Sequence, residues 1–213
     1  MKNIAISCKN LSKKIDNSYL FNNMTIDIPI GKIVGISGVS GSGKTSLLHI
    51  LGLLDNDYNG SLHVLGQNMS QYSYDAYLRR AIAFIYQDNY LLNDLSIYDN
   101  IVLFYKIHGM KYDIQAVQEV IKFLQIDLNK NIMYLSGGER QRINIARAIV
   151  QRPKILFADE LTSNLHDDLI NQIMQYFIYL RDDLNMTIVF VSHNKRVLEF
   201  SDIQINMYDY QAK

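Results

Sequence analysis

Cysteine is nearly absent from this sequence of 213 residues, and there is no excess of charge of either sign. The single thiol, Cys8, cannot form an intramolecular disulfide, and such sparse cysteine usage is typical of a reducing compartment. Lys and Arg number 21, as do Asp and Glu, so no overall field attracts nucleic acid or an anionic membrane surface. These absences predict a cytoplasmic protein that has no nucleic-acid partner.

Long apolar runs are missing as well. Residues 1–10 lack the apolar core of a signal peptide. No run approaches the roughly eighteen apolar residues that a membrane-spanning helix requires. We therefore expect the chain to reach a membrane only through a partner protein.

The sequence does contain enough apolar residues, 48% of the chain, to bury the core of one domain. Four short runs rich in β-branched residues are apolar without period-two alternation, as is typical of parallel strands covered on both faces. They are KIVGI at 32–36, AIAFIY at 81–86, KILFA at 154–158 and TIVFV at 187–191. Between them, 117–124 and 168–180 repeat apolar residues at helical spacing. This alternation predicts an α/β fold with a parallel sheet.

Two segments depart from the alternation. Residues 96–150 show only helical patterns, with a capping-box-like start at Ser96 and a stop at Gly109. Ile4, Ile6 and Cys8 fall at alternate positions, and residues 25–28 alternate again, as in antiparallel strands beside the core. The sequence thus predicts a single domain, 1–213, with an α/β core and an N-terminal antiparallel β-subdomain at about 1–95 and 151–213, and an inserted helical subdomain at about 96–150.

The strongest chemical motif is GVSGSGKT at 38–45, which fits G-x-x-x-x-G-K-[ST] between a predicted strand and a predicted helix. The glycines let backbone N–H groups point at phosphate oxygens, and the helix N-terminus adds its positive end. Lys44 is expected to reach the β- and γ-phosphates, and the Thr45 hydroxyl to ligate Mg²⁺. A flexible Gly/Ser turn is the alternative, but the flanking elements favour a P-loop NTPase core. The predicted nucleotide-binding residues here are Gly38, Ser40, Gly41, Ser42, Gly43, Lys44, Thr45 and Ser46.

Polar side chains follow three of the predicted strands. Asp159 and Glu160 end the run at 154–158, where Asp159 suits a metal's water shell and Glu160 suits polarisation of an attacking water. Capping of the next helix is the alternative for this pair. A positioned general base is worth about 10² to 10⁴ in rate, so Glu160 favours hydrolysis over binding alone. Gln87 and His193 also follow strands, at the sheet edge that faces a ligand.

A second glycine turn lies within LSGGERQR at 135–142. Ser136, Gly137 and Gly138 open a predicted helix whose N–H groups and hydroxyl suit phosphate. They belong to the helical insert, so one copy of the chain is not expected to bring both turns to one nucleotide. Two copies packed head to tail would let the turn of each copy close over the γ-phosphate that the other holds.

Together these residues resemble the ATP-binding cassette ATPases of ABC transporters over about residues 3–208. GVSGSGKT resembles their Walker A motif, ILFADE their Walker B, LSGGERQR their signature, Gln87 their Q-loop and His193 their switch histidine. The resemblance implies ATP and Mg²⁺ as ligands and an ATP-sandwich dimer on a separate transmembrane permease. It also implies a general base (Glu160), a γ-phosphate contact (His193), a residue that reports metal and nucleotide state (Gln87), and a metal site (Thr45, Gln87 and Asp159).

A finer resemblance is to the lipoprotein-release, macrolide-export and antimicrobial-peptide group of that family. It is carried by LGLLD at 51–55, FIYQDNYLL at 84–92, Gly60 and Gly66. Such proteins are separate subunits on the inner face of the cell membrane, which implies bacteriocin, antimicrobial-peptide or lipoprotein-like cargo. Residues 90–92 would help to form the groove for a coupling helix of the permease, with ordinary core packing as the alternative.

Three positions depart from the family pattern. Ile15 stands where an aromatic residue usually stacks on adenine, with Tyr19 as a stand-in, so weaker base affinity is expected. Leu161 replaces a proline, and His166 replaces the D-loop aspartate that couples the two sites. These departures leave open a degenerate regulatory subunit, and a non-transport cassette ATPase is a further alternative. The latter would call for a coiled-coil insert or a second cassette, which the sequence lacks.

Overall fold

Nine strands in two sheets organise the part of the chain that this computed structural model describes, residues 3–16, 18–70, 76–88, 90–160 and 165–211. The prediction for Leu161 lies outside those residues. The strands are β1 (Ile4–Ile15), β2 (Ser18–Pro29), β3 (Ile33–Ser37), β4 (Asn59–Val64), β5 (Gln67–Asn68), β6 (Ile82–Ile85), β7 (Ile155–Asp159), β8 (Thr187–Val191) and β9 (Ile203–Asn206).

Helices connect and cover these sheets. They are α1 (Lys44–Leu51), α2 (Ala76–Ala81), α3 (Ile97–Ile101), α4 (Leu103–Ile107), α5 (Ile114–Phe123), α6 (Gly137–Ile149), α7 (Asp167–Leu184) and α8 (Lys195–Leu198), with short 3-10 helices at Ile132–Tyr134 and Met207–Tyr210. Among the described residues no helix is long and apolar enough to cross a membrane.

The larger sheet is parallel, in the order β6-β7-β8-β3-β9. The four apolar runs of the sequence form four of its strands, which confirms the predicted α/β fold. Strand β7 explains why these runs lack alternation, since Leu156 and Ala158 join the apolar core on one face, and Ile155 and Phe157 join the core on the other. Each face is therefore covered.

The smaller sheet is antiparallel, in the order β2-β1-β4-β5. It confirms the predicted antiparallel β-subdomain and shares an apolar core with α1, through residues such as Phe21 and Leu48. Strands β4 and β5 were not predicted. They pair with β1 and with each other and complete this sheet.

The regular elements between Ser96 and Val150 are helices, as the pattern predicts. The Ser96 hydroxyl accepts a hydrogen bond from Asp99 N at 3.0 Å and starts α3. Helix α4 ends just before Gly109, whose φ is +59°. Buried Val117, Val120 and Ile121 form the inner face of α5. This segment leads directly into α6, whose first turn carries the second glycine motif.

Candidate active site

The glycine loop joins the end of β3 to α1, at the carboxyl edge of the parallel sheet. Gly41 and Gly43 have φ values of +76° and +91°, which side-chain-bearing residues rarely adopt. A Cβ atom on Gly43 would lie only 2.7 Å from Leu20 Cγ, because β2 packs directly over the loop. The turn therefore requires glycine at position 43 for both its backbone angle and its space.

Lys44 folds back over this loop. Its ammonium donates hydrogen bonds to the carbonyl oxygens of Gly38 at 3.1 Å and Val39 at 2.9 Å. Burial lowers the pKa of Lys44, while the nearby carboxylates of Glu160 and Asp159 oppose that shift. The cation is thus held inside the curl of the loop, within reach of the anionic groups of a bound nucleotide.

Two oxygen ligands meet beside the loop. The Thr45 hydroxyl donates to Asp159 Oδ1 at 3.2 Å, although the two residues belong to α1 and β7. Asp159 is only 5% exposed, and burial raises its pKa against the opposing effect of the Thr45 hydrogen bond. Hydroxyl and carboxylate oxygens are the ligands that Mg²⁺ prefers. The buried Ser42 Oγ has no hydrogen-bond partner within the described residues. The residues therefore fit a metal-bound phosphate.

Glu160 and His193 form the next part of the site. His193 Nε2 lies 3.1 Å from Glu160 Oε1. Burial raises the pKa of Glu160, and the adjacent His193 opposes the shift. Glu160 has a φ of +47°, a left-handed conformation that turns its side chain away from the line of β7. Strained backbone of this kind is found where the surrounding structure fixes a side chain for function.

An open cleft of about 510 Å³ joins these groups. Gln87, which follows β6, lies on its wall, so side chains after three adjacent strands face one space. Among the predicted site residues, Gly38, Ser42 and Asp159 do not line it, and neither do Ser136, Gly137 and Gly138. The lining residues are Ile15, Leu20, Ser40, Gly41, Gly43, Lys44, Thr45, Ser46, Gln87, Glu160 and His193.

The entrance of the cleft is aliphatic where an adenine contact is expected. Ile15, half exposed at the end of β1, lines it together with Leu20. Tyr19 does not line the cleft, and its ring instead faces Lys14 Nζ at 4.5 Å. The proposed stand-in is thus turned elsewhere. Leu20 was missed because only the packing of β2 on the loop brings it here.

The second glycine turn is well formed but lies outside this cleft. Ser136 is the N-cap of α6, and its hydroxyl accepts a hydrogen bond from Glu139 N at 3.3 Å. Glu139 Oε2 in turn accepts from Ser136 N at 2.9 Å and from the Ser136 hydroxyl at 2.8 Å. This reciprocal capping box fixes the first turn of α6.

Helix α6 also holds the segment around Gln87, which the sequence did not indicate. The amide of buried Asn144 donates to Tyr86 O at 2.8 Å. Arg147 donates to Tyr90 O at 2.9 Å. The helix that begins at the second glycine turn is therefore bonded to the backbone on both sides of Gln87.

His166, one of the three departures, is the N-cap of α7. Its side chain makes no capping hydrogen bond in the described part of the chain, although its backbone is extended as a cap requires. The adjacent Asp167 and Asp168 supply negative charge to the first turn of α7.

Comparison with known proteins identifies the family of this chain. The family model described as ABC transporter matches residues 21–163. The lipoprotein-releasing system ATP-binding protein LolD of Rickettsia bellii is 35% identical, over 95% of this chain and 94% of that protein. The macrolide export ATP-binding/permease protein MacB of Chlorobium luteolum is 41% identical over 87% of this chain, which matches only 29% of that longer protein.

Solved structures show the same architecture. A dimeric, post-hydrolysis state of the ATP-binding cassette MJ0796 bound to ADP and Pi superposes with a TM-score of 0.83. It is 28% identical to this chain, and the match covers 94% of this chain and 93% of that one. The resemblance predicted from the motifs is confirmed.

Proposed function

This chain belongs to the ABC transporter family as an ATP-binding ATPase subunit, and from that premise we propose that two copies, packed head to tail, hydrolyse ATP in shared sites and drive a separate membrane permease. One observation carries the proposal. The chain has two glycine turns that suit phosphate, and the turn at 136–138 does not line the cleft that holds Lys44 and Glu160. A second copy of the chain supplies the other turn, Ser136 to Gly138, to the γ-phosphate.

The nucleotide is held by the residues of the glycine loop. Backbone N–H groups of the loop and the N-terminus of α1 face the phosphates, and Lys44 exchanges its carbonyl contacts for β- and γ-phosphate oxygens. When bound, Mg²⁺ neutralises charge on the β- and γ-oxygens. Thr45 and Asp159 would hold it, and Gln87, which lines the cleft after β6, would be a further ligand. The aliphatic wall of Ile15 and Leu20 receives the base.

Glu160 acts as the general base. Its carboxylate accepts a proton from the water that attacks the γ-phosphorus, while the bond from that phosphorus to the ADP oxygen breaks and phosphate leaves. His193, in contact with Glu160, orients that carboxylate and donates to a γ-phosphate oxygen. The raised pKa of Glu160 makes its carboxylate a better proton acceptor than an exposed one.

The membrane partner and the location rest on the relatives. LolD and MacB are named for lipoprotein release and macrolide export. We propose that this subunit works on the cytoplasmic face of the cell membrane, bound to a permease, with residues 96–150 acting as the helical subdomain. Tyr90 and Leu92, both exposed, contribute to the permease-binding groove. Antimicrobial-peptide or lipoprotein-like cargo stays a prediction.

The test is ATP hydrolysis as a function of protein concentration. We expect specific activity to rise with concentration in the wild type, and to be abolished in Glu160→Gln and in Ser136→Arg. Ser70→Arg, which adds the same cation to an exposed turn after β5, is the matched control and keeps the wild-type curve. A specific activity that is constant with concentration and survives Ser136→Arg would overturn the two-copy site.

A further inference from the structure

The proposed function requires a phosphate at the first turn of α6, where the carboxylate of Glu139 already lies. Oε2 of Glu139 accepts both hydrogen bonds that Ser136 can donate, from its N–H at 2.9 Å and from its hydroxyl at 2.8 Å. The Glu139 side chain is 18% exposed. A γ-phosphate that approaches Ser136 must therefore displace this carboxylate from the hydroxyl and tolerate its charge.

Lys130 binds the other oxygen of the same carboxylate. Its ammonium lies 2.5 Å from Glu139 Oε1. The turn that carries Lys130 is fixed locally, because Asn129 N donates to Asp127 Oδ1 at 3.0 Å. Lys130, followed by the two hydrogen bonds from Ser136, lowers the pKa of Glu139 to about 2. The carboxylate thus stays ionised, with its two oxygens divided between Lys130 and Ser136.

This division has a consequence for phosphate binding. If the Ser136 hydroxyl rotates to a phosphate oxygen, Glu139 keeps Lys130 on Oε1 and the Ser136 N–H on Oε2, so its charge stays paired. Without Lys130, the carboxylate would lose its ion-pair partner, and although Arg142 lines the same pocket, it would present more negative charge to an incoming phosphate. Like charges opposed across an interface suppress association.

We propose that Lys130 is a positioning residue of the shared ATP site, which holds and neutralises Glu139 so that Ser136 can bind the γ-phosphate of the partner copy. The inference rests on the proposed function, because it requires two copies. It adds a residue outside every motif used above. Lys130 acts through Glu139 and need not touch the nucleotide.

An ordinary surface ion pair is the competing interpretation. The Lys130 side chain is 51% exposed, and exposed pairs contribute little to stability. The two interpretations predict different effects of Lys130 variants when Glu139 is uncharged. If Lys130 serves only to neutralise Glu139, then removing the charge of Glu139 must make Lys130 dispensable.

The experiment is a double-mutant cycle on the full chain, read as the protein concentration that gives half-maximal specific ATPase activity. We expect Lys130→Met and Lys130→Gln to raise that concentration about tenfold. Lys130→Arg should restore it, and Lys130→Met combined with Glu139→Gln should return to the value of Glu139→Gln alone. Lys122→Met, at an exposed lysine of α5, is the matched control.

Two further readouts separate the outcomes. The affinity of a fluorescent ATP analogue for the dilute chain, and the melting temperature, should not change in Lys130→Met, because the glycine loop is intact. Wild-type behaviour of Lys130→Met, or a double variant no better than Lys130→Met, would overturn the role of Lys130. In that case Ser136→Arg still tests the shared site independently. Only an active Ser136→Arg variant would refute the two-copy site.

Discussion

His193 Nε2 lies 3.1 Å from Glu160 Oε1, although the two residues follow different strands, β8 and β7. The contact exists because these strands are neighbours in the parallel sheet, so their carboxyl ends meet at one edge. It joins the proposed base to the residue that we propose to contact the γ-phosphate. Any change that separates the pair should therefore affect the chemical step more than nucleotide binding.

We predict that Glu160→Gln lowers kcat by about 10² to 10⁴ because it removes the proton acceptor and keeps the shape of the side chain. ATP binding should remain, and ATP-bound dimers should accumulate because hydrolysis no longer separates them. Turnover assays and size-exclusion chromatography with ATP measure both effects. Glu199→Gln, at an exposed glutamate after α8, is the control. Full activity in Glu160→Gln would remove Glu160 from the base role.

The pH dependence of kcat/KM follows from the burial of Glu160, because kcat/KM reports the pKa values of the free enzyme. The base works only when ionised, and burial raises its pKa above the ordinary value of 4.5. As pH falls, Glu160 is protonated earlier than an exposed glutamate, so the acid limb of kcat/KM should lie above that value, with a plateau at higher pH. Melting temperatures over the same range control for unfolding. A kcat/KM that holds constant down to the ordinary pKa contradicts this assignment.

The pairing of Thr45 with Asp159 predicts a metal phenotype. Thr45→Val keeps the volume but removes the oxygen that lies 3.2 Å from Asp159 Oδ1. The Mg²⁺ concentration for half-maximal ATPase activity should rise about 10- to 100-fold. Thr45→Ser retains the hydroxyl and should stay near the wild type. If valine and serine gave the same Mg²⁺ titration, Thr45 would not be a ligand.

His166→Asp should increase both stability and activity. An aspartate can cap α7, where His166 makes no side-chain cap, and N-cap exchanges of this kind are worth about 1 kcal/mol. For a chain of this size that corresponds to a rise in melting temperature of about 2–4 °C. The family resemblance implies that an aspartate at the D-loop position couples the two sites, so we also expect higher ATPase activity at a fixed protein concentration. A more stable variant with wild-type activity would support the cap and reject the coupling role.

The site could be predicted from sequence wherever a motif has fixed local spacing. The glycine loop needs only a strand before it and a helix after it, and its backbone angles follow from its glycines. Glu160 and His193 were predictable because each lies two residues after the end of an apolar run. Their contact was not stated in advance, because it depends on the order of β7 and β8 in the sheet.

The remaining contacts depend on how separate elements pack. Leu20 reaches the cleft because β2 lies over Gly43, and no local pattern marks it. Asn144 and Arg147 lie on α6, and nothing in the helical spacing of that segment indicates a contact with another element. They nevertheless donate hydrogen bonds to the backbone on either side of Gln87. Strand β9 is a short run after the last predicted strand, and only its pairing with β3 identifies it.

The position of β3 in the sheet has a consequence for how the chain is made. Both of its neighbours, β8 and β9, come from residues 187–206, far along the chain from the glycine loop. A ribosome that has delivered the loop, α1 and even β7 has not yet delivered either strand that pairs with β3. The backbone of β3 therefore stays without its native partners until β8 and β9 have been made, and such edges are prone to aggregation. Assembly of the nucleotide site is consequently a late event in biogenesis, and nascent chains that stall before residue 187 should depend on chaperones rather than on ATP for protection.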